Sequence, residues 1–72
     1  MRTTYKMKSE ADAYRASARL TNAGYDGIPM RSLRTPQWYV DLKHEGELPV
    51  RADAIVRSVD ADTFGVPRSE PL

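Results

Sequence analysis

The chain predicts an α+β fold: a small antiparallel-rich sheet with two helices on one face, in the order βαββα, a ferredoxin-like arrangement. Three observations carry it. Two stretches repeat apolar residues at helical spacing: Ala13, Ala16 and Leu20, then Ala52, Ile55, Val56 and Val59. Strand-like alternation occupies the N-terminus and the run Gln37 to Lys43. The helical and extended stretches also alternate along a chain of 72 residues, short enough for one domain with one core. At this size, folding buries about 60% of the unfolded surface.

In the first strand Tyr5 and Met7 face inward, between Thr4, Lys6 and Lys8. Ser9 is an N-cap, with Asp12 at the capping-box position, and Glu10 and Asp12 suit the positive end of a helix. This helix is expected from Glu10 to Ala23, ended by Gly24 as its C′ residue. Its buried stripe is mostly alanine, so it can lie close on a sheet. Asp26-Gly27 then turns the chain into a second strand, Ile28 to Arg34, with Ile28 and Met30 expected on the core side and Arg31 and Leu33 on the other. Pro29 cannot donate to a ladder, which makes this strand an edge or puts Pro29 at its start.

The third strand has the clearest period of two, with Trp38, Val40 and Leu42 inward and Tyr39, Asp41 and Lys43 outward. Leu48-Pro49 opens the second helix, which ends near Asp60. Thr63 to Val66 reads as a short last strand, or as a segment that docks Phe64 on the core. The domain is expected to span residues 1–66, with a disordered C-terminal tail at 67–72.

Composition narrows the function. Eleven basic and ten acidic residues nearly cancel, so any nucleic-acid binding must come from a local patch. There is no cysteine, which fits a reducing, cytoplasmic setting, and no secretory signal or membrane span. No phosphate-binding loop, dinucleotide fingerprint or nucleophile elbow is present. The single histidine, His44, stands near Asp41, Glu45 and Glu47, and Asp60 stands near Asp62. Both groups read as solvated turns, with Arg57 the expected local partner of the second pair. No catalytic residue, cofactor or metal ligand is assigned.

The residues assigned to partner binding are those expected on the open face of the sheet: Lys6, Arg31, Leu33, Tyr39 and Lys43. The expectation is a non-enzymatic protein that docks on a macromolecule, foremost a protein. A modulator or inhibitor of a host protein machine, of phage or mobile-element type, fits this size. A nucleic-acid module using the basic face is the alternative, and a homodimer is a further route to stability. Trp38 is expected as a core anchor, with an exposed interface anchor as the alternative.

The layout Ser9-Glu10-Ala11 through Leu20, then Ala23-Gly24-Tyr25, then Trp38-Tyr39-Val40 resembles that of peptidoglycan-binding SPOR domains over about half the chain. The resemblance implies glycan binding as a further alternative. It carries no site residues over.

Overall fold

A computed structural model describes residues 1–68. It orders them as β1 (Arg2–Met7), α1 (Glu10–Asn22), β2 (Asp26–Arg31), β3 (Trp38–Lys43), α2 (Val50–Val59) and β4 (Gly65–Arg68). The strands lie in the order β2-β3-β1-β4, and every neighbouring pair is antiparallel. The fold is α+β, and its β-α-β-β-α-β element order is that of the ferredoxin-like motif. β1 is central, with Thr3, Tyr5 and Met7 buried on the helix side.

Local sequence explains the shape of α1. The Ser9 hydroxyl accepts from the Asp12 amide at 3.1 Å and caps the helix. At the other end Gly24 takes φ +89, and the Tyr25 amide donates to the Leu20 carbonyl at 2.9 Å while Gly24 donates to Thr21 at 3.0 Å. This is a Schellman closure, and the left-handed backbone at its C′ position is the reason for glycine there. Ala13, Ala16 and Leu20 are fully buried, so α1 sits low on the sheet. Its Ser17 hydroxyl donates to the Gly27 carbonyl at 2.6 Å.

This close approach decides which face of β2 is buried. Gly27 lies under Leu20 with no space for a β-carbon. Strand β2 begins at Asp26, and Gly27, Pro29 and Arg31 pair with Leu42, Val40 and Trp38 of the helix-side face. Ile28 and Met30, expected in the core, instead project from the open face, 50% and 40% exposed. A period of two makes this an all-or-none choice. A β-carbon at position 27 would force the Leu20 side chain, or α1 with it, to move. β2 lies at the edge of the sheet, one of the two placements Pro29 allowed.

The core joins Tyr5, Met7, Val40 and Leu42 of the sheet to Ala13, Ala16 and Leu20 of α1 and Ala52 and Val56 of α2. Both helices therefore cover one face. Pro49 is the N-cap of α2, one position before its first helical residue. α2 is tied to the sheet by the Tyr5 hydroxyl, which donates to Asp53 at 2.7 Å, and to α1 by Arg19, which donates to Ser58 at 3.1 Å. Burial, then the Asp53 hydrogen bond, raise the Tyr5 pKa well above the ordinary tyrosine range.

The last strand runs further than expected. Pro67 and Arg68, assigned to a tail, pair with Thr3 and Arg2. They extend the sheet because β1 still has unpaired backbone on that side. The remainder of the expected tail, 69–72, lies outside the described residues.

Candidate functional site

The open face of the sheet is laid out by register in three rows. The first runs Asp26, Lys43, Arg2, Arg68 across the four strands. The second runs Ile28, Asp41, Thr4, Val66, and the third Met30, Tyr39, Lys6. Lys6, Tyr39 and Lys43 thus share this face, as the alternation of their strands predicts. Arg31 and Leu33 lie outside these rows, although Arg31 also lines the hollow shared by Arg2, Met30 and Tyr39 at the rim of the face. The register puts Arg31 beside Trp38 on the helix side, a consequence of the reversed facing of β2. Leu33 lies in the loop after β2, fully exposed, because the strand ends at Arg31.

Asp41 is the buried centre of the face, only 6% exposed. Arg2 donates to its Oδ2 through Nε at 2.9 Å and lies within 2.8 Å through Nη2. The Thr4 hydroxyl donates to Oδ1 at 2.9 Å. Both carboxylate oxygens are engaged, which gives Asp41 the role of clamping β1 to β3.

His44 points to the other side. Its Nε2 lies 2.8 Å from the Thr3 hydroxyl and its Nδ1 3.1 Å from the Gly46 carbonyl. A carbonyl can only accept, so Nδ1 donates to Gly46, and Nε2 shares a hydrogen bond with the Thr3 hydroxyl. Asp41 and His44, neighbours in sequence, therefore do not converge. Among the described residues no three histidine, aspartate or glutamate side chains group closely enough to hold a metal ion. Asp60 and Asp62 find their cation in Lys8, at 3.7 and 3.1 Å, and not in Arg57. The Asp62 hydrogen bond, then the Asp60 charge, raise the Lys8 pKa above its usual value. Asp60 also accepts from the Asp62 amide at 3.0 Å, which shapes the turn beyond α2.

That turn builds the part of the face the sequence does not reveal. The Thr63 hydroxyl donates to the Lys6 carbonyl at 2.6 Å and pins the lead into β4 against the end of β1. The next residue, Phe64, is left 69% exposed and is not docked on the core. With Met7, Tyr39 and Val66 it lines a groove of about 500 Å³, bordered by Lys6 and Arg68. Gln37 closes one end, donating through Nε2 to the Met7 carbonyl at 2.7 Å. Gly65 explains how β4 comes so close: a β-carbon there would strike Thr3 and crowd the Tyr5 ring.

Trp38 is on the helix side, half-buried against the core, its ring 5.8 Å from that of Tyr14 and tilted 51°. It packs on the core and lies off the open face. Among the described residues no helix is long and apolar enough to cross a membrane. No protein-family model matches this chain, and no match was found among curated proteins or solved structures.

Proposed function

We propose that this chain is a small, non-enzymatic binding protein that docks on a protein partner through the open face of its sheet. The observation that supports this reading is Phe64, a large ring held 69% exposed beside Tyr39 and Val66. Exposed apolar residues scattered singly carry no such meaning. Here Ile28 and Met30 continue the apolar surface across the same face. Aromatic side chains in such a setting are the usual anchors of protein interfaces. A modulator or inhibitor of a larger protein assembly, acting in the cytoplasm, is the form of this reading that suits so small a chain.

The nucleic-acid alternative draws on Tyr39 and Phe64 as stacking rings beside Lys6 and Arg68. It is the weaker reading, because Ile28, Met30 and Val66 are aliphatic and the chain's net charge is only +1. Affinity purification followed by mass spectrometry, with and without nuclease, separates the two. The proposal expects a protein captured in both arms and lost with Phe64→Ala. Capture abolished by nuclease, or unaffected by the substitution, contradicts it.

A further inference from the structure

We infer that the partner presents an acidic segment carrying an apolar anchor, and that Arg2, Lys43 and Arg68 receive its carboxylates. This rests on the open face being the docking surface. The carrying observation is that Arg2 is paired with Lys43 on one side and with Arg68 on the other. Three cations therefore stand abreast on three adjacent strands and the same face. Neighbouring strands are about 4.8 Å apart, and like charges directly opposite one another weaken a sheet. Asp41 answers Arg2, and Asp26 stands opposite Lys43 at the β2 end of the same row. Among the described residues neither Lys43 nor Arg68 makes an ion pair. The like-charge pair Arg2 and Arg68, at the β4 end of the row, is where an anionic partner adds most, with Lys43 beside it.

The row is continuous with the apolar groove. Arg2 and Arg68 share a hollow of about 300 Å³ with Met30 and Tyr39, and Tyr39 and Arg68 also line the Phe64 groove. The first and third rows are four residues apart along a strand, or roughly 13 Å. One extended segment with an aromatic anchor and acids about four residues away spans both. The row between them has Ile28 and Val66 at its ends and Asp41 and Thr4 in its middle, a mixed surface that suits a peptide better than a run of stacked bases.

The test is an amide chemical-shift titration of the isotope-labelled full chain at low salt. The probes are a seven-residue peptide with phenylalanine at one end and three aspartates at the other, its asparagine counterpart, and an oligothymidylate. The acidic peptide is expected to shift amides at Phe64 and along the row, and to bind at least about fivefold tighter than the asparagine peptide. That preference should vanish in the Lys43→Glu/Arg68→Glu double variant and shrink in Lys43→Gln/Arg68→Gln, each checked for fold by circular dichroism. Equal binding of the two peptides at the groove overturns the acidic-segment inference and leaves the docking proposal standing. Tighter binding of oligothymidylate to the row overturns it in favour of nucleic acid. No shift with any probe also overturns it, while capture through Phe64 tests docking separately.

Discussion

Gly27 stands directly beneath Leu20 of α1, with no room between them for a β-carbon. The contact sets the height of α1 above β2. It also turns Ile28 and Met30 out to the open face, so fold and candidate interface depend on the same glycine.

The first prediction follows from that contact. Gly27→Ala forces Leu20 or the helix to move and should cost about 1–3 kcal/mol. Ile28→Ser, on the open face, should stay within about 0.5 kcal/mol of the parent. Urea denaturation of both variants checks this. A large loss from Ile28→Ser would return that residue to the core.

Asp41 gives the second. Asp41→Ala removes the acceptor of both Arg2 and Thr4 and should cost about 1–3 kcal/mol. Arg2→Met should cost at least as much in urea denaturation, because it leaves the buried Asp41 carboxylate without its cation, whereas Arg2 left alone is partly solvated. A clearly smaller loss from Arg2→Met would mean that Thr4 alone suffices to hold the carboxylate.

Tyr5 gives the third, on pH. Its pKa is raised in the folded chain, so the folded state keeps this proton after the unfolded state has released it. Stability from Tyr5 is fully present below the ordinary tyrosine pKa of about 10. It falls as pH rises beyond that, by up to about 1.4 kcal/mol per pH unit. Denaturation midpoints measured across the alkaline range should decline more steeply for the parent than for Tyr5→Phe. Parallel declines would contradict this.

Much of the fold was legible because local signals and packing agree. Ser9 and Gly24 bracket α1 by capping chemistry alone, and the alternation from Trp38 to Lys43 is kept intact in β3. β2 was misread because Ile28 and Met30 are the larger apolar residues, whereas burial there follows the space left by a low-lying helix. The hint was the alanine stripe of α1, which calls for a glycine beneath it. The same reversal moves Arg31 out of the open-face rows to the rim of the face, and Leu33 leaves it because β2 ends at Arg31. Lys6, Tyr39 and Lys43 were legible from the pattern of β1 and β3. Phe64, Val66 and Arg68 were not. A four-residue strand containing glycine and proline is too short to display a period, and its position depends on Thr63 and Gly65 meeting β1.

The most direct measurement of the central claim is site-specific photo-crosslinking in cells, with benzoylphenylalanine in place of Phe64 in one sample and of Tyr14 in another. Both rings are exposed, but Tyr14 belongs to α1 on the opposite side of the sheet. Docking through the open face predicts a discrete, nuclease-resistant protein adduct from position 64 and none from position 14. An adduct from position 14 alone, or no protein adduct from position 64, would contradict it.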